Sequence, residues 1–95
     1  MITIIGLGFV GLTTALGFAE KGEKVYGFEI NKKKRDLLAR GQIPFYEPYL
    51  EEMIKKHTIN GNFVLTEDLE SALKLSKLAM VCVGTPSKDN GEVDI

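Results

Sequence analysis

The chain opens on a short apolar run, Met1-Ile2-Thr3-Ile4-Ile5, that feeds without a spacer into Gly6-Leu7-Gly8-Phe9-Val10-Gly11. Small and apolar residues then continue with helical character over 12–20, and a second strand-type run, 24–28, ends on an acid, Glu29. Strand, G-x-G-x-x-G, helix, strand and acid in that order form the dinucleotide-binding fingerprint. The glycines alone are a weak signal, because glycine is common in turns. The flanking order is what makes the pattern specific.

Each glycine has a physical task in that reading. Gly6 lets the chain turn sharply as it leaves the strand. Gly8 leaves room for a pyrophosphate against the backbone, and Gly11 lets the helix lie close to the sheet. The helix starts at the loop, so its free amides and the positive end of its dipole face the phosphates. A nucleotide-triphosphatase loop, G-x-x-x-x-G-K-[ST], is excluded, since Leu12-Thr13 follow the last glycine. Glu29 comes 18 positions after Gly11. A carboxylate there accepts from both hydroxyls of an adenosine ribose and repels a 2′-phosphate, which favours NAD over NADP. The basic run Lys32-Lys33-Lys34-Arg35 is the counterweight.

Ninety-five residues make one small domain, able to bury roughly two-thirds of its unfolded surface. Twelve Lys and Arg against 13 Asp and Glu leave a net charge of −1, so nothing points to nucleic acid or an anionic membrane. There is no long apolar span and no targeting segment. The single cysteine, Cys82, excludes an internal disulfide. These features lead us to expect a soluble cytoplasmic protein.

Further along, Asn31 caps a helix that runs to about Arg40 and ends at Gly41. Lys34 is the lysine of its first turn expected beside the adenosine end of a cofactor. Residues 44–48 read as a stiff linker, with Pro48 at the first position of the next helix. Leu50, Met53, Ile54 and His57 share one face of that helix, with His57 read as a surface residue near its end. Phe63-Val64-Leu65 reads as a third strand, and Thr66 as the cap of a helix over 67–75. The run 78–83 reads as a fourth strand buried on both faces, with Cys82 an inert thiol within it. Val83-Gly84-Thr85 closes that strand. The tail is turn-rich, and its Asp89-Asn90-Gly91 is a turn, not a calcium loop.

Alternating strands and helices predict an α/β, Rossmann-like open parallel sheet in the order 3-2-1-4, with helices on both faces and no second half. Strands 1 and 4 are then neighbours at the switch point, where ligands bind beyond the strands' C-terminal ends. The glycine loop and Gly84-Thr85-Pro86 converge there. The candidate cofactor residues are Gly6, Gly8, Phe9, Val10, Gly11, Glu29, Lys34, Val83, Gly84 and Thr85; no catalytic or metal-ligating set is read.

The chain resembles the N-terminal NAD-binding domain of the UDP-glucose/GDP-mannose dehydrogenase family of nucleotide-sugar dehydrogenases. The matching stretches are the glycine loop with Leu12, Phe18-Ala19-Glu20-Lys21-Gly22, Ile43-Pro44-Phe45-Tyr46-Glu47-Pro48, Cys82-Val83-Gly84-Thr85-Pro86 and Gly91-Glu92-Val93-Asp94. The resemblance implies oxidation of a sugar primary alcohol to a carboxylate in two NAD-dependent steps, with Val10, Glu29, Lys34 and Thr85 on the cofactor. The family's nucleophilic Cys and its Lys and Asn partners lie downstream, so 1–95 is expected to be a partial dinucleotide-binding domain, inactive alone, with the catalytic and sugar-binding domains absent. Phe9 stands where the family often has Tyr, and Tyr49 where it commonly has Gly, although Tyr does not easily take φ > 0. Two alternatives stay open: a stand-alone NAD-sensing regulatory module, and the cofactor domain of a hydroxyacid or 6-phosphogluconate-type dehydrogenase. Neither should carry Tyr46-Glu47-Pro48. A chain ending after strand 4 leaves that strand an apolar edge, so self-association through 78–83 is expected.

Overall fold

A computed structural model describes residues 1–43, 45 and 47–82. Eight elements follow in the order β1 (Ile2–Ile5), α1 (Phe9–Glu20), β2 (Val25–Phe28), α2 (Lys32–Ala39), α3 (Pro48–Asn60), β3 (Phe63–Leu65), α4 (Leu69–Leu75) and β4 (Leu78–Val81). The strands form one parallel sheet in the order β3-β2-β1-β4. Ile2 pairs with Val25 on one side and Leu78 on the other, and Val25 pairs with Phe63.

Alternation along β1 divides the sheet into two unlike faces. Ile2 and Ile4 join Leu12, Leu16, Val25, Ile54 and Phe63 in one buried core, beneath α1 and α3. Gly27 in β2 makes space there, since a Cβ would run into the Phe63 ring and Leu7. Thr3 points the other way, where its hydroxyl donates to the Ala72 carbonyl of α4. The right-handed crossover rule accounts for this: the path β1 to β3 advances in one direction and the return to β4 reverses it. The site therefore sits at the strands' C-terminal ends, against a face covered by two helices.

Helix ends follow local chemistry. The Asn31 side chain accepts from the Lys34 amide, as expected of a cap. Pro48 is the first residue of α3, with Glu47 as its cap accepting from the Tyr49 amide. Tyr49 thus lies in a helical first turn, and no described non-glycine residue has a positive φ. The usual glycine is dispensable at that position.

Three expectations are corrected. The α4 cap is Asp68, not Thr66: Asp68 accepts from the Ser71 amide and hydroxyl, while the Thr66 hydroxyl accepts from the Asp68 amide and shapes the preceding turn. The fourth strand is exposed rather than buried on both faces, with Leu78, Ala79 and Val81 in solvent and Cys82 half-buried just beyond its end. Its only strand neighbour among the described residues is β1. His57 is buried, at 2% exposure, not on the surface.

Candidate dinucleotide site

The Gly6 amide donates to the Phe28 carbonyl (2.8 Å), so the loop leaves β1 still tied to β2. Gly6 has φ 94°, a conformation open to glycine and strained for other residues. The Leu12 amide bonds to the Gly8 carbonyl (2.9 Å), the first i to i−4 bond of α1. The amides of the preceding turn have no intrahelical acceptor, and no side chain among the described residues caps them. Among the described residues the space around Gly8 is open, whereas a Cβ on Gly11 would be driven into the Gly6 carbonyl oxygen, with Cys82 close behind. Close helix–sheet approach at Gly11 and an open cradle at Gly8 are the features a pyrophosphate needs.

Glu29 lies directly behind this loop, at 5% exposure. One carboxylate oxygen accepts from the Leu7 amide (2.8 Å) and the other from the Asn31 amide (2.8 Å). The acid therefore joins the glycine loop to the β2–α2 turn. Each carboxylate oxygen keeps a second lone pair, so the same group can also accept from ribose hydroxyls.

The basic run beside it is partly spent. Lys32 pairs with Asp36 (3.0 Å). Arg35 donates to the Glu29 carbonyl (3.3 Å) and faces Glu67 (3.6 Å). Lys33 and Lys34 have no carboxylate partner among the described residues, and Lys34 is half-buried. Phe9 and Val10 stand exposed on the first turn of α1, and the Phe9 ring meets the Phe45 ring edge-on at 5.5 Å. The structure thus brings Gly6, Gly8, Phe9, Val10, Gly11 and Glu29 to one end of the sheet, with Lys34 on the adjoining α2. Val83, Gly84 and Thr85 lie outside the described residues, as do Pro44 and Tyr46 and the Asp89-Asn90-Gly91 turn.

Sequence reasoning missed Arg35 as a strut on Glu29, and Phe45 as the prop of Phe9. It also missed His57, whose ring lies 2.6 Å from Glu20 of α1 and 3.2 Å from Asn60. The hydrogen bonds from His57 and then Lys56 hold the Glu20 carboxyl below the usual carboxylate range. Among the described residues no group of three or more His, Cys, Asp or Glu side chains is arranged to hold a metal ion, and no helix is long and apolar enough to cross a membrane.

The model of the UDP-glucose/GDP-mannose dehydrogenase family, NAD binding domain, matches residues 1–95. The chain belongs to this family. The GDP-mannose 6-dehydrogenase of Pseudomonas syringae is 40% identical over 94 residues, 99% of this chain and 22% of that protein. The UDP-glucose 6-dehydrogenase TuaD of Bacillus subtilis is 38% identical over the same share of this chain and 20% of its own. A ternary complex of GDP-mannose dehydrogenase from Pseudomonas aeruginosa superposes with a TM-score of 0.85 at 38% identity, covering 98% of this chain and 21% of that one. The UDP-N-acetyl-mannosamine dehydrogenase of Staphylococcus aureus gives 0.80 at 33% identity, covering 98% and 22%. The chain spans about a fifth of the length of these relatives. The family's NAD-binding domain accounts for the strand order, the glycine loop and the acid in one fold, and its cofactor is NAD.

Proposed function

We propose that the chain is the NAD-binding portion of a nucleotide-sugar 6-dehydrogenase, acting on a UDP-glucose, UDP-N-acetylmannosamine or GDP-mannose type of substrate. The observation that carries the reading is the uncapped α1 N-terminus over Gly8, with the buried Glu29 behind it. NAD, when bound, would supply the hydride acceptor for the sugar's primary alcohol, whose oxidation to a carboxylate would take two NAD and one water. The first-turn amides of α1 hold the pyrophosphate, Gly8 admits it, and Glu29 takes the adenosine ribose. Phe9 and Val10 flank the cofactor, and Lys34 stands at the adenosine end. Val83, Gly84 and Thr85 complete the set of residues assigned to the cofactor. No residue here is assigned to catalysis, and the chain alone binds NAD without turning over substrate. We place the protein in the cytoplasm.

The exposed apolar residues Leu78 and Val81 on the outer strand support self-association through β4. Calorimetry tests the main reading: NAD binds at least tenfold tighter than NADP, and Glu29→Gln reduces that preference and loosens the glycine loop, since one oxygen of Gln can accept from only one of the Leu7 and Asn31 amides. Equal affinity for both cofactors overturns the NAD reading, and oxidation of UDP-glucose by this chain alone overturns its role as a partner-dependent portion. Sedimentation at rising concentration tests self-association, which a monomer at all concentrations would exclude.

A further inference from the structure

Gly17 lies within the last turn of α1, where its carbonyl still accepts from the Lys21 amide, and outside the positive-φ region. A Cβ there meets nothing within 4 Å among the described residues. A glycine within a helix costs stability relative to alanine, and neither turn geometry nor close packing among the described residues calls for it. Gly17 lines a groove of about 360 Å³ between α1 and α3. Phe9, Thr13 and Gly17 line one side at four-residue steps, and Tyr49, Leu50 and Met53 the other. Phe9 and Tyr49 are 57% and 63% exposed although both are large aromatics. The rim is acidic, with Glu20 and Glu47 on the groove and Glu52 on the adjoining hollow beside Lys56. Lys56 is already paired with Glu20.

We propose that the α1–α3 face docks an amphipathic helix of a protein partner, with an apolar stripe against Phe9, Leu50 and Met53 and Lys or Arg flanks toward Glu47 and Glu52. Gly17 lets that helix cross α1 at close range, the role small residues play wherever two helix backbones approach. The acidic rim disfavours an anionic membrane, and it disfavours a symmetric second copy, which would set two acidic rims against each other.

The test uses the isotope-labelled chain and a synthetic Leu/Lys amphipathic peptide of roughly five helical turns, with a Leu/Glu peptide of the same length as control. The Leu/Lys peptide is expected to shift the resonances of Thr13, Gly17, Tyr49 and Met53, and to bind at least tenfold tighter than the control. Gly17→Leu is expected to weaken it at least tenfold. Gly17→Ala, which needs no repacking, is expected to raise the melting temperature and weaken binding by a smaller factor. Equal binding of the two peptides, unchanged affinity in both variants, or shifts mapping to β4 overturn the proposal. So does binding of anionic vesicles at the same residues, or a dimer that Gly17→Leu abolishes.

Discussion

The two faces of this one sheet are held by different means. Under α1 and α3, Ile4, Leu12, Leu16, Val25 and Ile54 are wholly removed from solvent, and the glycine loop is fixed by backbone and Glu29 hydrogen bonds. Around α4 and β4, Leu73, Leu75, Leu78 and Val81 stand in solvent, and α4 has seven residues. The contrast teaches where the domain's stability resides. The core beneath α1 and α3 is closed among the described residues, whereas the α4–β4 side is apolar without being covered among them. Substitutions of like size should therefore have very unlike effects on the two sides.

The largest effect is expected at Gly11→Ala. The added methyl meets the backbone oxygen of Gly6, which cannot swing aside as a flexible side chain can. Overpacking ordinarily costs ~1–3 kcal/mol, and a backbone clash at the root of α1 belongs at or beyond the top of that range. At ~4–8 °C per kcal/mol for a domain of this size, the melting temperature should fall by more than ~10 °C, and NAD affinity should fall with it. A variant that melts like the parent would show that the helix slides easily over β1, and the contrast between the faces would collapse.

That contrast was only half legible in the sequence. The glycine loop, Glu29 and the strand order were readable because each rests on local chemistry at fixed spacing. Pro48 announced the start of α3 for the same reason. The fourth strand was misjudged because an apolar run specifies a wish for burial, while burial itself depends on neighbours, and only β1 supplies one among the described residues. His57 was misjudged although it continues the Leu50, Met53, Ile54 row. Its partner Glu20 lies 37 residues earlier, so the pairing that makes a buried imidazole tolerable is invisible to local reading. The α4 cap was ambiguous because Thr66 and Asp68 are both good caps two residues apart. Ser71 decides it by offering Asp68 both its amide and its hydroxyl.

An intermediate effect is expected at His57, which fastens α3 to the end of α1. His57→Ala leaves Asn60 without its ring partner and opens a gap beneath a buried position. Asn60 and Glu20 are exposed and can turn to water, so each lost hydrogen bond costs about 0.5–1.5 kcal/mol, to be read by denaturant unfolding. The same pair has a pH signature. Glu20 is held below the usual carboxylate range by His57 and Lys56. A depressed folded-state pKa contributes stability that is complete above the unfolded-state value and drains away as the pH falls through the folded one. Glu20→Gln should flatten that acid limb by lowering stability near neutrality toward the value both proteins reach in acid, a small loss because Glu20 is exposed. An unchanged acid limb would mean that the pair does not couple the two helices.

The smallest effect on folding is expected at Val81→Lys. Val81 is 66% exposed on the outer strand, so nothing described packs on it strongly enough to be lost. Surface substitutions of this kind usually stay within about 0.5 kcal/mol. A lysine on a strand edge nevertheless opposes pairing with another chain. The variant should therefore melt within a few degrees of the parent while its sedimentation shifts toward monomer. Stability and association would then separate on this side of the sheet, as they cannot at Gly11. A loss of more than ~2 kcal/mol instead, in a dilute monomeric sample, would mean that Val81 is covered within its own chain, which would erase the asymmetry between the faces.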